Sequence, residues 1–551
     1  MSQHHARERF FVVGEGMTSI AANGKTVVTP PSAVEETRSF RFSRLIKGLH
    51  GEPNSINLLA KLAVSMTAGG GKVSTTVPAG FTYLGQFLDH DLTLDITTLN
   101  PAHAVTVEQL VTGRTPILDL DSLYGMGPLE TPEFYDGPTK LKRGKPAPTG
   151  NPAAEQEGFD LPRMLADGGV ELKDQRKARI PDRRNDENLA VAQIHAAFIR
   201  FHNAVVDDLA AQGVPSAGLF EKARETVVKH YQWMVLHDYL ATVLDIDVLA
   251  DVLENGRRYF EHDATDPHAT MPVEFSGACF RLGHSMVRES YEWNKIFGIS
   301  DDPAKSGHLF RLFRFSGTSG TLSPTTAAPG SAEDLADLEA RGGTFTALPS
   351  VWVADWRRMF DLTTTGVAGL EAPPGKFNHA MAIDTHMVDP LKMLPTGSFD
   401  GIVPDLELKR NLAFRNLARG RMLFLASGQQ LAKAFGVEAL SAAQIMEGNG
   451  GATFDPGLNM AQNQAELTSN TPLWFYILRE AEFNHNRLGK VGSRVVAETF
   501  HRAIEASRYS VLRDPAFKPS LGPGAATGRF SMADLLVYAF RSDPKLLNPL
   551  G

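Results

Sequence analysis

The stretch ENLAVAQIHAAFIRFHNAVVDDLAAQ, residues 187–212, reads as one long helix. Leu189, Ala192, Ala196, Ile199 and Val206 fall near one stripe, Asp207 and Asp208 bring polarity towards its end, and Gly213 stops it. The same periodicity predicts helices over 218–247, 275–290, 408–436, 472–487 and 490–511, while alternating strand patterns are scarce. Breaker-rich stretches separate these helices: Gly69–Gly80, Gly125–Ala154, Ser316–Gly343 and Asp514–Gly528. Loops of this length are uncommon in compact domains unless they serve a function. Helical patterning resumes after each without a shift in composition, and no internal repeat is visible. The expectation is a mainly α fold: a single large domain of helices with long loops and little β-structure over 36–551, preceded by an N-terminal arm over 1–35.

Composition narrows the classes of function. The chain has 551 residues, 42% of them hydrophobic and 21% charged, with a formal net charge of −8. That is an ordinary globular balance, and no basic stripe suits nucleic acid. No window reaches the run of about 20 apolar residues that spans a bilayer. The N-terminus lacks an apolar segment after a basic start, so no signal peptide is expected. The simplest expectation is a cytoplasmic location, or export without an N-terminal signal. The lone cysteine, Cys279, excludes intramolecular disulfides and half of a CxxC haem attachment; it reads as a small buried hydrophobe.

Four segments carry residues suited to chemistry. In FTYLGQFLDHDLTLD, residues 81–95, Gln86, Asp89 and His90 share a helix face and Asp91 turns about 100° past His90. Taken alone, that segment is better explained as a surface carboxylate cluster. In TPILDLDSLYG, residues 115–125, an extended run would aim Thr115, Ile117, Asp119 and Asp121 one way. Hard oxygens so arranged suit calcium, although a solvated acidic turn has the same composition and the Gly and closing Glu of an EF-hand are missing. In DRRNDENLAVAQIHAAFIRFHN, residues 182–203, Arg184 stands at a helix entrance, the Asn/Asp pair after it suits a cap, and Glu187 belongs in the first turn, where the macrodipole favours it. In FRLGHSMVRE, residues 280–289, Gly283 would let a group approach beside His284, which taken alone is more often a satisfied core histidine than a ligand. Asn416, Arg419 and Arg421 follow on a helical stretch, at a spacing that normally makes a solvated face.

Taken in order, these segments form the pattern GQ-x-x-DHD, T-x-x-x-D ending in YG, R-x-x-E before a helix, R-x-GH, and N-x-x-R-x-R, between residues 81 and 421. In that pattern the sequence resembles the animal haem peroxidases, the peroxidase–cyclooxygenase superfamily, and looks closest to its bacterial members. The resemblance implies a haem b enzyme that reduces hydrogen peroxide and oxidises small donors (halides, thiocyanate or phenols) through a ferryl intermediate. It makes His90 the distal histidine, Arg184 the distal arginine, Gln86 their neighbour and His284 the iron ligand. Asn416 would accept the N–H of His284, leaving a more oxidising iron than a carboxylate acceptor would. Asp89 and Glu187 match the carboxylates that ester-link the haem, and Asn188 stands where sulfonium-linked members carry Met, so two esters and no sulfonium are expected. Asp91, Thr115, the Ile117 carbonyl, Asp119 and Asp121 align with the calcium ligands, and Arg281 with a propionate partner.

Two other readings compete. A fatty-acid dioxygenase of the same superfamily would carry tyrosine three residues before the proximal histidine, where this chain has Arg281. A calcium-stabilised structural protein could use the fold without catalysis, but every catalytic position is filled. The physiological donor and the oligomeric state are not written in the sequence.

Overall fold

A computed structural model describes residues 9–12, 16–20, 26–29, 42–94, 114–164, 171–261, 269–323, 327–340, 345–394, 405–455, 457 and 460–551. The expected arm over 1–35 falls largely outside them. Its described parts are three strands, β1 (Arg9–Val12), β2 (Gly16–Ile20) and β3 (Thr26–Thr29), paired antiparallel in the order β1-β2-β3. The rest is mainly α, as expected. The other strands pair only two by two; the longest pair joins β4 (Val73–Pro78), inside the glycine-rich stretch after residue 69, to β5 (His379–Met381).

The principal helices are α1 (Ile56–Met66), α2 (Gly80–Leu92), α3 (Leu189–Ala211), α4 (Ser216–Met234), α5 (Ile246–Asn255), α6 (Leu412–Met422), α7 (Leu473–Glu482), α8 (Lys490–Glu505) and α9 (Met532–Ala539). At the centre lies α3, packed against α2, α4 and α9. It is the one described helix long and apolar enough to cross a membrane, and 94% of its most apolar window is buried inside the protein. Burial of that kind marks a core helix of the fold. Phe87 of α2 stacks on Phe198 of α3 with ring centroids 4.5 Å apart.

Several expected helices are shorter or broken. Over 275–290 the chain makes only a short α-helix, Val273–Gly277, and a 3₁₀ stretch, Cys279–His284. Residues 408–436 form three pieces, because Asn411 leaves the helix to cap α6 with its side chain and Phe424 takes a positive φ of 48° before Gly428–Phe435 begins. The prediction over 218–247 corresponds to α4 continued by a π-helical turn, Val235–Tyr239, and a last turn to Val243. That turn delivers Tyr239 onto α2 at Gly85, where a Cβ would stand 2.3 Å from the Tyr239 hydroxyl oxygen. Ser316–Gly343 contains a helix, Ala332–Ala340, that breaker content concealed.

Candidate active site

Almost all of α2 is buried, yet Gln86 and Asp89, three residues apart, are partly exposed. The helix face expected from the sequence is therefore the one that opens, while Asp91 points into the core with no exposed surface. Arg184 and Glu187 are the partly exposed residues of the segment entering α3, again three apart. Asp89, Arg184 and Glu187, but not Gln86, line a cavity of about 190 Å³ together with Arg281, Arg419, Ser276 and the apolar Phe42, Leu94, Val273, Met422 and Leu423. Two carboxylates and three guanidinium groups thus face one space. Burial raises the Asp89 pKa, and Arg281, Arg184, the Thr93 hydroxyl and Arg419 oppose the rise.

His90 sits one residue beyond Asp89 and is 5% exposed. Its Nδ1 lies 2.8 Å from the Asn185 side-chain oxygen. A proton on Nδ1 donates to that oxygen and leaves the lone pair on Nε2. The Gln86 carbonyl oxygen accepts from Asn188 Nδ2 at 2.9 Å, so its amide N–H₂ is the end left for a ligand. Arg184 donates to Asp182 at 2.8 Å and to the His90 carbonyl at 3.0 Å. Asp182 also takes Arg114 Nε at 2.9 Å, and the charges of Arg114 and Arg184 hold its carboxyl well below the usual range against the cost of burial.

His284 closes the 3₁₀ stretch, which packs against α2, and neither it nor His90 is among the residues lining that cavity. Burial, with Arg281 and Arg419 nearby, pushes its pKa down to about 3, so the ring is neutral and able to ligate a metal. Asn416 contacts it, but with the end opposite to the one expected: Asn416 Nδ2 donates to His284 Nδ1 at 2.7 Å. Turning that amide by 180° would present Oδ1 to an Nδ1–H of His284. Arg281 Nε donates to the Ser276 carbonyl at 2.8 Å. Gly283 admits no close neighbour: a Cβ there would find only the Thr82 carbonyl, at 3.9 Å.

Asp91, Thr115, Asp119 and Asp121 also gather, but not on an extended run. Residues 114–120 form a bent loop, Leu120 is left-handed with φ 63°, and Asp121 begins a short helix. Ile117 lies in that loop midway between Thr115 and Asp119. The Asp91 carboxylate accepts from Leu120 N, Ser122 N, Ser122 Oγ and Tyr231 Oη at 2.9–3.3 Å. Thr115 Oγ1 donates to Asp121 at 3.2 Å, and Arg114 pairs with Asp121 at 3.2 Å. With those lone pairs occupied, no group of three or more His, Cys, Asp or Glu among the described residues is set to hold a metal ion. The chemistry nevertheless fits a cation. Burial and its neighbours Asp121 and Asp119 hold Asp91 well above the usual carboxylate range, burial pushes Asp119 to about 7, and the buried Asp119 Oδ1 lacks a hydrogen-bond partner.

The structure adds residues that the sequence reading left out. Asn188, not the Asn185/Asp186 pair, caps α3, its Oδ1 accepting Val191 N at 3.0 Å. Glu187 consequently stands before the cap and outside the first turn, where the helix macrodipole does not account for it. Asn185 and Asp182 hold His90 and Arg184. Their signal was adjacency to Arg184, which spacing rules do not score. Arg419, read as a solvated face, lines the cavity.

The animal haem peroxidase family model matches residues 97–305. That span includes Arg184, Glu187, Arg281, His284 and the 115–121 loop, and starts just after the α2 residues. No curated protein matches the chain. Among solved structures, peroxidase A from Dictyostelium discoideum is similar at 17% identity, with a TM-score of 0.51 over 86% of this chain and 88% of that one. Fatty acid alpha-dioxygenase from Oryza sativa is similar at 11% identity, with a TM-score of 0.54 over 93% of this chain and 82% of that one. A variant of the same dioxygenase with palmitic acid gives 12% and 0.55. At such identities the likeness establishes a shared fold, and neither source is bacterial.

Proposed function

We propose, from the premise that the chain carries an animal haem peroxidase domain, that it is a peroxidase that reduces hydrogen peroxide and oxidises small donors such as halides, thiocyanate or phenols. The observation that carries this reading is a pair of buried histidines, each with a side-chain amide against its Nδ1. His90 has its Nδ1 on Asn185, which leaves Nε2 as a base. His284 is held neutral, with Asn416 on its Nδ1.

The residues present fit a haem. His284 Nε2 would ligate the iron, Asn416 would accept from its Nδ1–H, Arg281 and Arg419 would face the propionates, and Asp89 and Glu187 offer carboxylates for two ester links. A space of about 190 Å³ is below the roughly 300 Å³ of ordinary ligand pockets, so seating the group requires the walls to part. When bound, haem supplies the redox-active iron. His90 Nε2 accepts a proton from peroxide and returns it to the departing oxygen, a role worth about 10²- to 10⁴-fold. Arg184 stabilises negative charge on that oxygen. The Gln86 amide donates to a water or halide beside it. Calcium, held by Asp91, Thr115, the Ile117 carbonyl, Asp119 and Asp121, would need Asp91 and Asp121 to exchange protein donors for the ion, and it would brace His90 through the adjoining residue.

The fatty-acid dioxygenase reading draws on the Oryza sativa neighbours. Against it, residue 281 is arginine. The test is donor oxidation by haem-supplied protein. Peroxide-dependent bromide, iodide or phenol oxidation that falls about 10²- to 10⁴-fold in His90→Leu supports the proposal; oxygen consumption with palmitate and no peroxide requirement supports the dioxygenase. Haem that extracts fully into acidic organic solvent after peroxide turnover would refute the ester links.

A further inference from the structure

Asn185 lies between two histidines. Its side-chain oxygen is 2.8 Å from His90 Nδ1, and its side-chain nitrogen is 3.0 Å from His195 Nδ1. Asn185 and His195 are fully buried and His90 is 5% exposed. His195 projects from α3, where the Phe87 ring meets it edge-on at 5.8 Å. Among the described residues its Nε2 is buried without a hydrogen-bond partner.

We propose that Asn185 locks the tautomers of His90 and His195 into opposite states, and that His195 thereby acts as a positioning residue for the distal base. A carboxamide has one accepting end and one donating end. Whichever way it is turned, one neighbouring ring nitrogen must carry a proton and the other must not. In the arrangement described, the proton of His90 is on Nδ1 and that of His195 is on Nε2. The opposite arrangement places the proton of His90 on Nε2 and removes its capacity to accept one from a ligand. The lock needs His195 to be neutral, since an imidazolium would present N–H to the amide nitrogen. Burial supports this, lowering the His195 pKa to about 3. Neither histidine can change tautomer without the amide turning or leaving two like ends facing each other.

The relevance of the lock to catalysis rests on the proposed peroxidase reading, but the lock itself does not. Its test is nitrogen-15 NMR of histidine-labelled protein as purified, made diamagnetic by reduction under carbon monoxide where haem is bound. His90 is expected as the Nδ1–H tautomer and His195 as the Nε2–H tautomer. In Asn185→Asp both ends of the side chain accept, so the His195 proton is expected to move to Nδ1 while His90 keeps its own. In His195→Leu the amide loses one partner, and the His90 resonances are expected to shift towards the average of the two tautomers. Two histidines in the same tautomer in the unsubstituted protein would overturn the proposal, as would a His195 signal unmoved in folded Asn185→Asp. A protein that shows the lock but no peroxide chemistry would refute only the peroxidase reading.

Discussion

Replacing Asp182 by alanine should destabilise the protein by about 3–5 kcal/mol, the usual result of stripping the anion from a buried ion pair. Asp182 accepts Arg114 Nε at 2.9 Å, Arg184 N–H at 3.0 Å and a terminal Arg184 nitrogen at 2.8 Å. The Arg114 side chain is 0% exposed and that of Asp182 is 3% exposed, so water cannot replace the lost carboxylate. The exposed pair Lys140–Asp207, with side chains 40% and 52% exposed, is the internal comparison; Asp207→Ala should cost less than about 1 kcal/mol. The assay is denaturant unfolding of both variants at pH 7, repeated down to pH 3. Because the folded-state pKa of Asp182 is depressed, its contribution is fully present above the unfolded value of about 3.9 and is lost as pH falls through the lower folded value. The difference between Asp182→Ala and the unsubstituted protein should therefore stay constant from about pH 8 to 5 and shrink below about pH 4. A cost under about 1 kcal/mol for Asp182→Ala, or one that does not depend on acid, would refute the assignment of Asp182 as the anchor of both arginines.

Three further outcomes are expected. In Asn416→Asp a carboxylate accepts the His284 N–H more strongly, so the Fe(III)/Fe(II) potential of haem-loaded protein should fall in a redox titration; an unchanged potential counts against Asn416 as the proximal acceptor. Asp91→Ala should lose both bound calcium, measured by elemental analysis, and peroxide-dependent activity, whereas full activity in a calcium-free variant would uncouple the loop from His90. Cys279 is buried, and burial raises its thiol pKa well above the usual value, so it should ignore a disulfide reagent until the protein unfolds.

The helical class was legible because α3, α7 and α8 carry strong periodicity at the core, where burial and pattern coincide. The breaks were not. Asn411 and Phe424 interrupt a segment whose propensity is uniformly helical, because tertiary contacts decide where the backbone leaves the helix. The face of α2 was legible from spacing alone, since Gln86 and Asp89 are three apart and the helix is otherwise enclosed. The 115–121 loop was misread as extended because the left-handed turn at Leu120 has no glycine to announce it. The partners of the site residues stayed hidden for a different reason. Asn185 and Asn188 reach His90 and Gln86 through single hydrogen bonds across 95 and 102 residues, and a sequence pattern records residue types along a chain, not which side chain receives a proton.

The most direct measurement of the central claim is the absorption spectrum of purified, haemin-supplied protein before and after one equivalent of hydrogen peroxide. The account predicts a ferric Soret band that shifts on peroxide addition and returns when bromide, iodide or a phenol is supplied. A protein that retains no haem, or a haem spectrum indifferent to peroxide, would contradict it.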